Sequence, residues 1–331
     1  MSIDPEFARD VREGLLRTPR ELPPRYFYDA LGSQLFEAIC RLPWYRVTRG
    51  EQLLLERHGA AMLDGLAGSA AAPLGVAELG CGSGQKLATL LRAASAPVGG
   101  VTLIDISAAA LAMATDHLSQ LGPWPVHTQE ASYDEGLARL ATSRPVSDGP
   151  LLVLFLGSNI GNFHPSEGRA LLGRIRRTLR PGDALLLGTD LVKPERNLLL
   201  AYDDPLQVTA AFNRNLLRRI DEELGGTFEL DGFSHRAIWN AAESRVEMHL
   251  VSLRRQRVTV AACGLDLTFE AGETIWTESS YKYDPAAVVA DGLAAGFGTG
   301  TGAGVDAAPG GVRQWIEPDS AFALTRFLVT P

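Results

Sequence analysis

One stretch of the chain decides its fold, namely LGVAELGCGSG at residues 74–84. It begins with a short apolar run, which predicts a buried strand, and its glycine-rich turn opens a helix predicted from about Lys86 to Ala94. Glycines permit a positive φ and let a ligand approach the backbone closely. The spacing G-x-G-x-G departs from the G-x-G-x-x-G of NAD-binding folds, because residue 85 is Gln. The turn therefore predicts a ligand site at the carboxyl end of a strand.

An acid closes the next predicted strand, Val101–Asp105. In open α/β sheets an acid at this place hydrogen-bonds ribose hydroxyls, while the alternative is that Asp105 caps the following helix. An acid before G-x-G-x-G, here Glu78, is typical of the first motif of class I methyltransferases. We therefore expect Gly80, Gly82 and Asp105 to bind S-adenosylmethionine.

Lys86 allows two interpretations. It could neutralise the carboxylate of the methyl donor, or it could be a solvated lysine. The first turn of a helix is electrostatically unfavourable for a cation, which favours the functional interpretation.

The pattern downstream alternates helices and apolar strands. Helices are predicted at 108–121 and 166–179, and strands at 125–129, 151–156 and 184–192. This order predicts an α/β fold with a class I (Rossmann-like) methyltransferase sheet. Residues 5–70 show helical periodicity instead. After residue 195 a long helix at 205–224 precedes alternating segments at 245–251 and 258–260, which predict an antiparallel meander.

We expect three parts from these changes of pattern. Residues 1–60 would be a helical N-terminal segment that joins the substrate site. Residues 61–195 and 284–331 would form the donor-binding core, which resumes with a helix at 285–295 and strands near 313–316 and 322–329. Residues 196–283 would be an inserted α+β substrate-binding domain. The Gly-rich stretch 296–311 lacks the Lys-Ser/Thr of a phosphate loop, so we expect a simple loop.

Composition limits the partners. A net charge of −8 disfavours binding to a nucleic-acid backbone. No apolar run reaches the ~18 residues of a membrane span, and the N-terminus lacks a signal-peptide core. Three scattered cysteines fit reduced thiols, and the histidines show no metal-ligand spacing. We expect a cytoplasmic monomer that acts on a small molecule, without metal, nucleic acid or membrane.

A polar turn, GSNIGN at residues 157–162, ends the predicted fourth strand. Its glycines and asparagines suit the binding of an amine or a carboxylate, although an ordinary strand-to-helix turn is an equal alternative. The turn is not the G-x-S-x-G of serine hydrolases.

Longer motifs extend over most of the chain, from about residue 7 to 330. They resemble, in order, those of the histidine Nα-methyltransferases of ergothioneine biosynthesis. The segments are RYFYDALGSQLF (25–36), LPWYRVTR (42–49), FLGSNIGNF (155–163), AYDD (201–204), VTAAFN (208–213), RVEM (245–248) and WTESSYKY (276–283).

The resemblance implies trimethylation of the α-amine of L-histidine, which gives hercynine. It implies a binding site for the α-carboxylate and amine at Asn162 and Tyr202, with Gly157 in the same turn. It implies that Tyr45, Glu278 and Ser280 bind the imidazole and that Met248 lines its pocket. Tyr28 would lie near the reacting amine. The residues implied to bind the donor are Gly80, Gly82, Lys86, Asp105, Ala131 and Ser132.

Some positions depart from the family pattern. Trp44 stands where an acid is common, and the segment 130–137 is similar to the fungal branch, which includes an enzyme acting on a prenylated tryptophan. Methylation of another aromatic amino acid, such as tryptophan or a derivative, is therefore one alternative. A catalytically silent, ligand-binding homologue is a second, against which the intact Gly80, Asp105 and Glu278 argue. Tyr28, Asn162 or water could accept the proton of the amine.

Overall fold

A computed structural model describes residues 4–66, 71–95, 97–144, 149–298 and 311–330. The loop expected at 296–311 therefore lies mostly outside the described residues. The α-helices within these ranges are α1 (Pro5–Leu16), α2 (Ala30–Arg41), α3 (Arg46–Leu63), α4 (Gln85–Arg92), α5 (Ala108–Ser119), α6 (Tyr133–Ser143), α7 (Pro165–Thr178), α8 (Glu195–Tyr202), α9 (Val208–Leu224) and α10 (Pro285–Ala294).

The strands of the described residues fall into three sheets. Their bounds are β1 (Arg20–Glu21), β2 (Leu74–Leu79), β3 (Val98–Asp105), β4 (Val126–Glu130), β5 (Leu151–Phe155), β6 (Ala184–Asp190), β7 (Phe233–Asn240), β8 (Arg245–Ser252), β9 (Gln256–Val260), β10 (Leu265–Phe269), β11 (Thr274–Tyr281), β12 (Val312–Glu317) and β13 (Phe322–Leu328).

The largest sheet has seven strands in the order β12-β13-β6-β5-β2-β3-β4. Strands β4, β3, β2, β5 and β6 are parallel, whereas β13 runs antiparallel between β6 and β12. The chain order reverses between β2 and β5, which is the point where open α/β sheets bind ligands at the carboxyl ends of their strands. The class I fold expected from the sequence is confirmed.

The core of this sheet explains why its strands are so apolar. All residues of β5 and β6 are buried, because helices cover both faces of a parallel sheet. Helix α7 contributes Leu171, Leu172 and Ile175 to the cluster around Phe155. Packing of this kind fixes the carboxyl ends of β2, β3 and β5, which carry the candidate site.

The chain divides into two compact units. The first contains the chain up to Tyr45 and Lys193–Ser280, and the second contains Arg46–Val192 and the chain from Tyr281 onward. The boundary after Tyr45 differs from the one predicted after residue 60. Helix α3 belongs to the second unit because it packs on β12, β13 and α4.

The first unit holds a sheet of order β1-β11-β8-β7 and the hairpin β9-β10. The antiparallel pairing predicted for this region is found in β7–β8 and β9–β10. The predicted start of the long helix at residue 205 is wrong. Helix α9 begins at Val208, because the Asp204 carboxylate accepts hydrogen bonds from the amides of Leu206, Val208 and Thr209 and holds a turn before it.

Candidate active site

The glycine-rich turn between β2 and α4 has the predicted left-handed backbone. Gly80 and Gly82 have φ values of 74° and 50°. A Cβ atom on Gly80 would lie 2.7 Å from Asn159 Nδ2 and 2.8 Å from the Tyr133 hydroxyl, whereas one on Gly82 would meet nothing within 4 Å. The turn therefore packs tightly at Gly80 and borders open space at Gly82.

Asp105 faces this turn from the end of β3. Its Oδ1 accepts a hydrogen bond from the Ser107 amide at 2.9 Å, and its Oδ2 lies 3.5 Å from the Gly82 amide nitrogen. The cap of α5 is Ser107, whose hydroxyl accepts from the Ala110 amide, so the alternative of Asp105 as the helix cap is wrong. One carboxylate oxygen thus lies beside the donor turn, where ribose hydroxyls bind in related sheets.

Two acids, Glu78 and Asp105, lie near the donor turn. Glu78 is 2% exposed, and its Oε2 has no hydrogen-bond partner among the described residues. Burial, with smaller effects from Glu51 and Asp105, raises the pKa of Glu78 to about 8, although Lys86 opposes the shift. Burial also raises the pKa of Asp105. A ligand that combines ribose hydroxyls with a cationic sulfonium fits these groups, as S-adenosylmethionine does.

Lys86 lies in the first turn of α4 and pairs with a residue that the sequence analysis missed. Its Nζ is 2.6 Å from Oε2 of Glu51, a side chain of α3 that is fully buried. Both Glu51 oxygens also accept from the Gly157 amide, at 2.9 and 3.0 Å. The only sequence signal for Glu51 is its place on the apolar face of α3, with Val47, Leu54 and Leu55.

The segment after β4 places two more predicted donor residues. The amide of Ala131 donates to the Asp105 carbonyl at 3.0 Å, so this buried alanine lies beside the acid. Ser132 is the N-cap of α6 and forms a capping box with Glu135. Its hydroxyl therefore has a structural partner, and the roles of both residues in donor binding stay predictions.

The turn at 157–162 is held in an uncommon backbone conformation. Ser158 has φ 59°, a region that non-glycine residues adopt rarely and often at functional sites. Its hydroxyl accepts from the Asp190 amide at 2.9 Å, and Asp190 pairs with the buried Lys282 at 3.0 Å. Asn162 is the last residue of the short 3-10 turn Asn159–Asn162 and is half-buried.

Aromatic and hydroxyl groups of the first unit form a second cluster. The Tyr202 hydroxyl is 2.8 Å from Ser280 Oγ, and both residues are buried. The Tyr45 ring packs edge-on against Tyr202 at 6.1 Å. Through Phe36, Tyr45 connects to Tyr28, with centroid distances of 6.3 and 5.7 Å.

Two further predicted residues lie on neighbouring strands of this unit. Glu278 shares β11 with Ser280, and the i, i+2 spacing puts both side chains on one face of the strand, as predicted. Met248 is buried on β8, the strand next to β11. Its place in an imidazole pocket stays a prediction.

His235 forms a hydrogen bond with the backbone of Tyr202, and the sequence did not predict this contact. Asn213 Nδ2 donates to the His249 carbonyl at 3.2 Å and lies 2.8 Å from His235 Nδ1. Because that amide nitrogen is a donor, Nδ1 is the acceptor and the proton of a neutral ring is on Nε2. Nε2 then donates to the Tyr202 carbonyl at 2.7 Å. Burial lowers the pKa of His235, which agrees with a neutral ring.

Three general expectations can be compared with the described residues. Among the described residues, Cys40, Cys81 and Cys263 are not joined in disulfide bonds. Among the described helices none has the length and apolar content needed to cross a membrane. In the same ranges, no group of three or more His, Cys, Asp or Glu side chains is arranged to hold a metal ion.

Comparison with known proteins agrees with this geometry. The chain is 42% identical over 292 residues to the histidine N-alpha-methyltransferase of Mycobacterium tuberculosis, which covers 87% of the chain and 88% of the relative. It is 39% identical over 323 residues to the enzyme of that name from Mycolicibacterium smegmatis, covering 96% and 93%. The L-tryptophan methyltransferase of Psilocybe serbica is 26% identical over 305 residues, covering 85% of each chain.

A family model adds the assignment of the whole chain. The model that describes histidine-specific, S-adenosylmethionine-dependent methyltransferases matches residues 7–302. The match includes the donor turn, the polar turn after β5 and the aromatic cluster. The protein is thus an enzyme that uses S-adenosylmethionine as its methyl donor, and the chain belongs to the family of histidine-specific methyltransferases.

Proposed function

We propose that the protein trimethylates the α-amine of L-histidine and so forms hercynine for ergothioneine biosynthesis. The observation that carries this proposal is the identity of 39–42% over most of the chain to two proteins named histidine N-alpha-methyltransferases. The relative named for tryptophan is only 26% identical, which favours histidine over tryptophan as the substrate.

Donor binding is proposed for the second unit. Gly80 and Gly82 let the ligand approach the backbone, Asp105 binds the ribose, and Lys86 binds the carboxylate of the donor. Ala131 and Ser132 would border its adenine. When bound, S-adenosylmethionine supplies an electrophilic methyl group on a positively charged sulfur.

Acceptor binding is proposed for the residues that the family resemblance names. Asn162, from the turn that starts at Gly157, and Tyr202 would bind the α-carboxylate and amine. Tyr45, Glu278 and Ser280 would bind the imidazole, because its two nitrogens require an acceptor and a hydroxyl or donor. Met248 would line the pocket.

The reaction needs an unprotonated amine held in line with the methyl group. Its lone pair forms the new N–C bond while the C–S bond breaks and the electron pair stays on sulfur, so orientation is the main contribution of the protein. Tyr28 would lie near this nitrogen. A proton leaves the nitrogen before each transfer, and the trimethylated product has none left to lose, so the reaction ends there.

Incubation with S-adenosylmethionine and an equimolar mixture of amino acids, followed by mass spectrometry, tests the proposal. We expect three added methyl groups on histidine alone. Exclusive methylation of tryptophan or a derivative would overturn the choice of substrate, and the absence of any methylated amino acid would overturn the activity.

A matched pair of variants tests the imidazole site. Glu278→Gln is expected to reduce the preference for histidine, whereas Glu270→Gln, at an exposed position of the same unit, is expected to leave it unchanged. The monomeric state and the cytoplasmic location stay predictions, and sedimentation of the purified protein tests the first.

A further inference from the structure

Glu51 is a buried acid for which the proposed reaction has no direct use. We infer that it is a positioning residue of the donor site: it fixes the Lys86 ammonium and the Gly157 amide at the place where the donor's carboxylate binds. The inference rests on the proposed role of Lys86 and adds to it the residue that makes that role possible.

The contacts of Glu51 bring two functional segments together. Its carboxylate pairs with the Lys86 ammonium at the start of α4 and accepts hydrogen bonds from the Gly157 amide, two residues after the end of β5. A Cβ on Gly157 would lie 3.1 Å from Lys86 Nζ, so the two groups are also direct neighbours. One side chain therefore sets the distance between the donor turn and the polar turn.

Stability alone does not explain this arrangement. Burying an ion pair costs desolvation free energy, and apolar replacements of such pairs are often neutral or stabilising. Glu51 is nevertheless 0% exposed, and β6 accommodates it with a glycine. A Cβ on Gly188 would lie 2.2 Å from Glu51 Oε1, so the sheet keeps a space for this carboxylate.

Lys86 needs such a partner for two reasons. The positive end of the α4 dipole repels a cation in the first helical turn. A lysine side chain also has four rotatable bonds, and holding its ammonium in one place before the ligand arrives reduces the entropy lost on binding. Glu51 offsets the repulsion and restricts the side chain, which prepares the ammonium for an incoming carboxylate.

Two ligands separate positioning from general damage. S-adenosylhomocysteine carries the amino-acid carboxylate, whereas 5′-methylthioadenosine lacks it and keeps the ribose and adenine. Their affinities are measured by calorimetry on the same preparation of the full-length protein, so their ratio does not depend on the folded fraction. Glu51→Gln and Lys86→Gln are compared with Glu56→Gln, an exposed position on the same helix.

We expect Glu51→Gln to weaken S-adenosylhomocysteine binding by about ten- to hundredfold, as for loss of a charge-assisted hydrogen bond, with 5′-methylthioadenosine nearly unchanged. Lys86→Gln should do the same, and the double variant should lose no more than Lys86→Gln alone. Glu56→Gln should change neither affinity. If Glu51→Gln does not fold, Glu51→Asp, which keeps the charge but shortens the reach, should show the same selective loss.

Each other outcome has one meaning. If the Glu51 variants bind both ligands equally more weakly, or bind both as tightly as the wild type does, the inference is overturned. If Lys86→Gln leaves the ratio of the two affinities unchanged, the proposed role of Lys86 fails and the inference fails with it. A selective loss in Lys86→Gln but not in the Glu51 variants would overturn the inference and leave the proposed function intact.

Discussion

The donor turn makes a quantitative prediction because its glycines differ in their surroundings. Gly80 and Gly82 both have positive φ, but only Gly80 has neighbours that a methyl group would strike. Gly272, in an exposed turn between β10 and β11, has φ 85° and nothing within 4 Å of its Cβ position. Alanine at Gly272 therefore measures backbone strain alone.

The expected costs follow from these distances. Alanine in the left-handed region costs roughly 1–2 kcal/mol, so Gly272→Ala and Gly82→Ala should lose about that much of their unfolding free energy. Gly80→Ala must also displace Asn159 or Tyr133, and overpacking typically adds about 1–3 kcal/mol. We expect a total loss of about 2–5 kcal/mol for Gly80→Ala.

Ligand affinity should rank the variants differently. Gly82→Ala places a methyl group in the open space where the donor is proposed to lie, so it should weaken S-adenosylhomocysteine binding at least about tenfold, a loss of about 1.4 kcal/mol. Gly272→Ala should bind as the wild type does. Denaturant titrations and calorimetry give the two quantities. Wild-type affinity in Gly82→Ala, or a Gly80→Ala no less stable than Gly272→Ala, would refute the reasoning.

Three further predictions concern hydrogen bonds and protons. Tyr202→Phe and Ser280→Ala should each lower kcat/KM for histidine about five- to tenfold, because each breaks the same buried hydrogen bond; losses that simply add in the double variant would contradict the pairing. Because the pKa of His235 is lowered in the folded protein, the unfolded chain binds a proton at this residue before the folded protein does as the pH falls below 6.5. The free energy of unfolding should therefore decline there by up to about 1.4 kcal/mol per pH unit. Denaturant titrations across this range should give a smaller slope for His235→Gln, which keeps a donor and an acceptor, and an unchanged slope would rule the explanation out. Near pH 8, the protein should release more protons when it binds S-adenosylmethionine than when it binds S-adenosylhomocysteine, because the cationic sulfur lowers the raised pKa of Glu78. Calorimetry in buffers of different ionisation enthalpy measures this release, and the two ligands should not differ in Glu78→Gln.

Local sequence signals predicted the elements around the donor turn well. The turn at residues 74–84, the acid after β3 and the order of strands and helices depend on neighbouring residues, and all of them are found. The start of α9 was misplaced because Asp204 uses its carboxylate on the next amides, a choice that helical periodicity does not reveal. The packing of α3 on β12 and β13 could not be predicted locally, because those strands lie at the other end of the chain.

Supporting residues were beyond prediction for a similar reason. Glu51 accepts a hydrogen bond from the Gly157 amide, 106 positions away, and His235 donates one to the Tyr202 carbonyl, 33 positions away. No spacing rule connects such pairs, because the fold alone brings them together. Residues expected to touch ligands carried recognisable motifs, whereas the residues that hold them in place did not.

The charges around the donor turn connect Glu51 with the buried acid Glu78 and with Asp105. Glu51 pairs with Lys86 inside the protein, and burial raises the pKa of both Glu78 and Asp105, a shift that Lys86 only partly opposes at Glu78. A cationic sulfonium bound at the proposed donor site would favour the ionised form of these acids. Methyl transfer turns the sulfonium into a neutral thioether, so the same acids then stabilise the spent donor less. In the proposed donor site these surroundings would favour exchange of the spent donor after each transfer, which the proposed trimethylation requires.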